Sequence, residues 1–476
     1  MWRSSSTTWT AFSPRKSHTF YLACEGPLPR ARGKTVKTDI TILERLVLPL
    51  EDRPVLRGYE EYRDLPEDAR VRLTRPSPVD HVTIFAVNMV TMFPRTLQPP
   101  STSFFLFGPR GTGKSTWIRS TFDRAFVVNL LAPENTVRYE RDSAIFRAEV
   151  LARPKTDWIV VDEVQRVPRL LDEVQYLMEE KGYRRFALTG SSARKLKRGS
   201  ANLLAGRAVL RRLFPLTVAE MDFSVPLEQL LRYGSMPLSV LAGEDLARED
   251  YLRAFVTTYL VEEVRAEGLV RDLGGFSRFL AVAALAAAQT TNVSGLARDA
   301  EVSRETVRGY FEILVDTLIG EWLPAYRPRA KVKEVARPKF YWFDAGVLHA
   351  AAGGFDQPLS ADWDGVLLEH LVMHELRAYL QYGGVKGSLG YWATPSGAEV
   401  DFVWWRGATS VAIEVKSGRR YRREYRSGIR SFEDSMKGKV TSYVVYRGDA
   451  ELEVEGTRVL PLGAFLRRLH RGDIVG

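Results

Sequence analysis

One stretch constrains this chain more than any other: Ser103-Phe104-Phe105-Leu106-Phe107-Gly108-Pro109-Arg110-Gly111-Thr112-Gly113-Lys114-Ser115-Thr116. An apolar run with the character of a buried strand feeds a glycine-rich turn, and Lys114-Ser115 then opens a helix through Trp117 and Ile118. That succession is a complete P-loop. Its residue types follow from what a triphosphate needs. Gly108, Gly111 and Gly113 let the backbone take positive φ and approach closely, so that successive N–H groups turn toward phosphate oxygens. Lys114 carries a mobile positive charge to the β/γ-phosphates, Ser115 offers a hydroxyl to Mg²⁺, and the helix N-terminus adds its partial positive charge. With Pro109, Arg110, Thr112 and Thr116 completing the loop, ATP and Mg²⁺ are the expected ligands.

Residues 103–216 continue as apolar strand-like runs alternating with helical segments, the pattern of a parallel sheet with crossover helices. Phe126-Val127-Val128-Asn129-Leu130 reads as a second strand. Asp157-Trp158-Ile159-Val160-Val161-Asp162-Glu163 reads as a third, ending in two carboxylates. This is a Walker B box, in which Asp162 reaches the Mg²⁺ shell and Glu163 polarises the attacking water. The run Arg185-Phe186-Ala187-Leu188-Thr189-Gly190-Ser191-Ser192 ends in hydroxyls, and Ser191 is expected either to sense the γ-phosphate or to close a simple turn. Arg194, Lys195, Lys197, Arg198 and Arg207 follow, read chiefly as a basic solvated loop, with one of them free to contact phosphate or a neighbouring subunit.

At 476 residues the chain exceeds what one core normally fills, and two to four domains are expected. No apolar run reaches the roughly 20 residues of a membrane span. The net charge of +10 makes an anionic partner such as DNA plausible, though a solvated surface explains it equally well. A single cysteine, Cys24, excludes an internal disulfide framework and suits a reducing cytoplasm. Residues 1–88 read as an N-terminal extension with weak periodicity, in which 41–50 and 81–87 suggest a helix and a strand. Either this extension is disordered, or translation starts at Met89 or Met92 and it is no part of the protein.

Downstream, 217–274 reads as a helical lid and 275–345 as a winged helix-turn-helix. In the latter, helices are expected over 276–288, 294–300 and 303–311, with Ser303 as N-cap and Arg304, Thr306 and Arg308 facing outward from the third. Apolar strands at 322–326 and 339–343 would form a wing around a basic loop at 327–333. Residues 346–476 hold a different constellation. Gly397-Ala398-Glu399-Val400-Asp401-Phe402-Val403-Trp404-Trp405 and Val411-Ala412-Ile413-Glu414-Val415-Lys416 read as a hairpin, with Glu414 and Lys416 on one face and Asp401 opposite. Those types suit a metal-dependent phosphodiesterase: Asp401 and Glu414 as Mg²⁺ ligands, Lys416 as the group that orients or deprotonates water, and Glu369 as a further acidic ligand from a helix over 363–379. His370 and His374 lie four apart on that helix, but Leu371 stands where a zinc-protease glutamate would be, so buried helix histidines are expected rather than a zinc site.

In this order the motifs resemble the bacterial and archaeal AAA+-type ATPases of the STAND-related group, with a C-terminal domain of unknown function that looks like the PD-(D/E)XK nuclease fold. The matching pieces include the P-loop, Val160-Val161-Asp162-Glu163-Val164-Gln165, Leu188-Thr189-Gly190-Ser191-Ser192, Leu204-Ala205-Gly206-Arg207 and Phe214-Pro215-Leu216. Lys339-Phe340-Tyr341-Trp342-Phe343-Asp344-Ala345-Gly346, Glu399-Val400-Asp401-Phe402 and Ile413-Glu414-Val415-Lys416 complete the set. The resemblance implies an α/β multidomain chain: a P-loop NTPase core over 89–216, the helical lid, the winged helix and a restriction-endonuclease-like α/β domain. It implies ATP at Lys114 and Ser115, hydrolytic roles for Asp162 and Glu163, and a nuclease-like triad at Asp401, Glu414 and Lys416 supported by Glu369. The long segment before Met89 departs from the family pattern.

Overall fold

The computed structural model describes residues 93–191, 203–261, 264, 270, 272–327, 337–356 and 360–476, together with the backbone of a short hairpin near the start. The chain divides into two units, 1–88 and 89–476. In the first, β1 (Thr8–Phe12) pairs antiparallel with β2 (Tyr21–Glu25), Thr8 opposite Glu25. This hairpin was not among the sequence expectations, and the expected helix at 41–50 and strand at 81–87 lie outside the described residues.

The second unit begins with a five-stranded parallel sheet formed by β3 (Phe104–Phe107), β4 (Phe126–Asn129), β5 (Ile159–Asp162), β6 (Phe186–Gly190) and β7 (Val209–Arg212), in the order β4-β5-β6-β3-β7. Strand β3 is buried along its whole length because helices cover both faces, which is why its sequence is continuously apolar rather than alternating. The two-residue period sorts its side chains. Phe105 and Phe107 join Val161, Leu188, Val174 and Leu177 on one face, whereas Phe104 and Leu106 join Val160, Ala187, Trp117 and Ile118 on the other. All five C-terminal ends point the same way, and the P-loop and the two carboxylates stand there. Strand β7 went unread in the sequence because its Val-Leu-Arg-Arg is half exposed at the sheet edge.

Helices Leu227–Tyr233, Pro237–Leu241 and Asp245–Ala254 follow, the last running on into a π-helical turn at Phe255–Leu260. Three further helices, Leu273–Leu285, Val293–Asp299 and Arg304–Asp316, are each capped by a side chain, the last at Ser303 as expected. Asp272, Asn292 and Ser303 accept from the N–H of Gly275, Gly295 and Thr306 at 2.9, 3.2 and 3.0 Å. Strands β8 (Gly320–Leu323) and β9 (Lys339–Trp342) pair antiparallel behind them. Most of the expected basic loop between them lies outside the described residues.

The C-terminal part is a six-stranded mixed sheet ordered β10-β11-β12-β13-β15-β14. Strands β10 (Ser388–Ala393), β11 (Glu399–Arg406) and β12 (Thr409–Lys416) form an antiparallel meander. Strand β13 (Lys439–Tyr446) runs parallel to β12, β14 (Leu452–Val454) sits at the edge, and β15 (Thr457–Pro461) lies parallel to β13. The long helix Ala361–Tyr382 buries Leu367, Leu368, Leu371 and Leu376. A continuous apolar cluster runs from Leu216 and Met236 through Phe279, Phe311 and Tyr341 to Leu371, Phe402 and Ile413, so the helices after β7, the helices and hairpin over 273–342 (the connector) and the C-terminal sheet share one core.

Candidate functional site

The P-loop turns where Gly111 and Gly113 take φ of 82° and 91°. A Cβ on Gly111 would fall 2.7 Å from Met236 Cε and 2.9 Å from Tyr251 Oη, so the lid helices lie directly on the loop and admit only glycine there. Thr112 Oγ1 donates to the Pro109 carbonyl at 2.8 Å and closes the turn from inside. The Lys114 ammonium is buried and donates to the carbonyls of Gly108 and Pro109 at 2.7 and 3.1 Å. Ser115 and Thr116 stand half-buried on the first turn of the helix Lys114–Thr121, whose N-cap Gly113 supplies no side-chain cap. The first-turn N–H groups are therefore left to an outside acceptor. The Arg110 guanidinium lies 5.3 Å over the Tyr259 ring.

At the end of β5, Asp162 is 5 % exposed and accepts from the Thr189 hydroxyl on neighbouring β6. Thr189 Oγ1 in turn accepts from Glu163 N at 3.1 Å. Glu163 holds a left-handed φ of 61°, which turns its side chain away from the strand line. Gln165 Nε2 donates to Glu163 Oε2 and, at 3.3 Å, to Ser191 Oγ, bridging the two expected site residues. Sequence reasoning missed Thr189 and Gln165 as functional, although both lie inside the motifs it quoted. Arg207 pairs with Glu179 at 2.9 Å, while Arg194, Lys195, Lys197 and Arg198 lie outside the described residues.

Arg95 joins this site to the rest of the molecule. Its side chain is 7 % exposed. Its guanidinium donates to Thr112 O at 2.8 Å, Phe214 O at 2.6 Å and Tyr382 Oη at 3.1 Å, and pairs with Glu220 at 3.0 Å. Burial works against its charge, but Tyr382 and Glu220 outweigh it and hold the guanidinium above its ordinary pKa. A cavity beside Gly113 and Thr116 is walled by Phe93, Pro94, Leu216 and Pro237.

The second group of expected residues gathers on the C-terminal sheet. The β11–β12 register pairs Phe402 with Ile413, which sets Asp401 and Glu414 one step further along the ladder. Asp401 Oδ2 accepts from Val415 N at 2.7 Å, and Lys416 Nζ donates to Glu414 Oε1. Glu414 Oε2 is buried without a partner. Glu369, from the long helix, turns to Lys339 at 3.4 Å and accepts from the Tyr341 hydroxyl, and Lys339 also pairs with Glu399. Burial, reinforced by Asp401, raises the Glu414 carboxyl well above its ordinary range. Burial likewise pushes Glu369 up to about 7 against the opposing pull of Lys339. Among the described residues no three His, Cys, Asp or Glu side chains stand close enough to hold a metal ion. The expected ligand set Asp401, Glu414 and Glu369 is thus not assembled as one coordination shell, because Lys339 and Tyr341 draw Glu369 aside. His370 Nδ1 lies 2.8 Å from Val366 O and His374 Nε2 3.1 Å from Leu216 O, so both act as buried helix residues, as expected.

Comparison with known proteins agrees with the first site. Residues 101–222 match the family described as AAA domain, and 225–358 and 364–465 match two domains of unknown function, DUF8612 and DUF4143. Uncharacterized proteins of Mycobacterium bovis and Mycobacterium tuberculosis are 28% identical over 322 residues, covering 65% of this chain and 69% of each relative. The Walker-type ATPase of Pyrococcus abyssi overlays on 52% of this chain and 90% of its own at 15% identity and a TM-score of 0.37. The replication initiator DnaA bound to AMPPCP and single-stranded DNA overlays on 50% of this chain and 89% of its own at 15% identity and 0.24. Overlays at that level carry neither fold nor function across. The matched family and the loop geometry together support an ATP-binding P-loop ATPase domain over 101–222. Among the described residues no helix is long and apolar enough to cross a membrane.

Proposed function

We propose that the chain is a Mg²⁺-dependent ATPase of the AAA type whose turnover is coupled, through the lid and the helix–hairpin connector, to a C-terminal domain that engages DNA. The observation that carries the reading is the placement of Lys114, with its ammonium on the loop's own carbonyls, at the same sheet edge as Asp162 and Glu163. Two carbonyls mark where phosphate oxygens would draw the ammonium away. The first-turn N–H groups and Lys114 would take up the charge that builds on the transferring phosphoryl group. Ser115 and Asp162 would hold Mg²⁺, which when bound neutralises charge on the β- and γ-phosphates. Glu163, oriented by Gln165 and Thr189, would polarise the attacking water. The apolar wall of Phe93, Pro94, Leu216 and Pro237 suits a purine base beside the loop. Lys114→Ala is expected to abolish ATP binding by equilibrium dialysis, and Glu163→Gln to keep binding while hydrolysis falls by about 100-fold or more. Unchanged ATP affinity in Lys114→Ala would sink the reading.

For the C-terminal domain, two readings are separated by one observation. Asp401, Glu414 and Lys416 keep nuclease-like spacing, which supports cleavage of DNA. The engagement of Glu369 and Glu399 by Lys339 favours the second reading, a nucleotide-gated switch that binds a DNA or protein partner without cutting it. Supercoiled plasmid incubated with Mg²⁺, with and without ATP, distinguishes them. Nicking that Asp401→Ala and Lys416→Ala both abolish would establish the cutter. Intact plasmid with DNA-stimulated hydrolysis would establish the switch.

A further inference from the structure

Lys339 is 2 % exposed, a depth at which lysine is found only when paired. It does not belong to the region whose carboxylates it meets. Strand β9 carries it out of the segment matched at 225–358 into the pocket formed by residues of 364–465. There its ammonium meets Glu369 Oε1 at 3.4 Å, Glu399 Oε1, and the Tyr391 ring at 5.2 Å. Tyr341, on the same face of β9, donates to the same Glu369 oxygen, so the hairpin secures that carboxylate with two groups. Glu369, Glu399, Asp401 and Glu414 bring four carboxyl groups, of which burial favours the protonated form of Glu414 and Glu369, and Lys339 and Lys416 supply two ammonium groups. Of these four carboxylates as described, Glu414 carries a buried oxygen, Oε2, without a partner.

We propose that Lys339 is the resident cation of this pocket, a protein ammonium standing where a divalent ion would otherwise bind. An ammonium is a compact point charge comparable in role to a small ion, but it is tethered and presents donors where a metal presents coordination sites. While it is seated, Glu369 and Glu399 are turned toward it and the pocket lacks three carboxylates facing one point. Burial alone would strip Lys339 of its proton, and the surrounding Glu369, Asp401 and Glu399 keep it charged instead. Removing it leaves the carboxylates uncompensated in a desolvated site, which strongly favours any cation that can enter. The inference goes beyond the ATPase reading and stands whether or not the chain hydrolyses ATP.

Titration calorimetry with Mn²⁺ on the full chain, without nucleotide, tests it. The native chain is expected to give no binding that depends on Asp401. Lys339→Met is expected to gain one Mn²⁺ site, tighter by on the order of a hundredfold, the scale of one unit charge at ion-pair distance. Mn²⁺ should then raise the Tm of that variant alone, and adding Asp401→Asn should remove both effects. Lys339→Gln, which can still hydrogen-bond to Glu369 and Glu399, serves where the methionine variant does not fold. Mn²⁺ binding by the native chain that Asp401→Asn abolishes would overturn the proposal, as would a folded Lys339 variant that gains no Mn²⁺ site.

Discussion

If Glu163 polarises water as proposed, Gln165 and Thr189 show how little of that carboxylate's behaviour resides in the carboxylate. Thr189 ties Asp162 to the backbone of Glu163, and Gln165 restrains the Glu163 side chain while reaching Ser191. On the proposed function both act through another group, as positioning residues. Gln165→Ala is therefore expected to lower kcat about tenfold with KM for ATP nearly unchanged, since the lost contact orients the base without touching the phosphates. A change confined to KM would remove Gln165 from this role. A different residue sets a pH limit. Burial holds the His370 imidazole down at about 4, from an ordinary 6.5, with one ring nitrogen on Val366 O and the other without a partner. Between those two values the unfolded chain binds a proton that the folded chain refuses. The stability present above pH 6.5 is lost as pH falls through about 4, in all on the order of 3 kcal/mol. His370→Phe, which keeps the packing on Tyr341, should flatten the dependence of Tm on pH over that window.

At the scale of elements, the helix Arg304–Asp316 poses the clearest question. It buries Val307, Tyr310, Phe311 and Leu314 against the core and leaves Arg304 and Arg308 exposed on the opposite side. If that face meets DNA phosphates, Arg304→Ala with Arg308→Ala should weaken duplex binding and lessen the slope of log K against log salt by about 2. An unchanged slope would reduce the helix to a packing element. Ser303 made the third of these helices legible as to its start, because a cap is decided by the residue and its next three neighbours, while the caps Asp272 and Asn292 went unread. Strand β7 escaped for the opposite reason: a half-exposed edge strand ending in two arginines has no apolar run to announce it.

Within the larger unit, 89–476, long-range polar junctions tie distant segments together. Arg95 links the P-loop carbonyl of Thr112 to Glu220 and to Tyr382, 287 residues away at the end of the long helix. Asp344, just beyond β9, accepts from Ser235 N at 2.8 Å, and the next residue, Met236, lies against Gly111 of the P-loop. The nucleotide loop is therefore physically continuous with both the C-terminal helix and the strand that seats Lys339. Arg95→Met leaves the Glu220 carboxylate buried without its cation. It should cost about 3–5 kcal/mol of stability by denaturant unfolding and loosen ATP binding as well, through Thr112. Full recovery of stability when Glu220→Gln is added, with ATP affinity still reduced, would separate the two effects.

By itself the sequence determined the P-loop, the two carboxylates closing β5, the Ser303 cap and the β11–β12 hairpin that aligns Asp401 with Glu414 and Lys416. Each is written in a few consecutive residues or in a short register, and backbone geometry does the rest. Only the tertiary structure decided that Lys339 would be placed among Glu369 and Glu399, and that Glu369 would face an ammonium rather than complete a coordination shell. It likewise decided that Arg95 would join the P-loop to the end of the long helix. Those pairings join residues from separate elements, and long-range packing, which places one buried charge beside another, has no local signature in the order of residues.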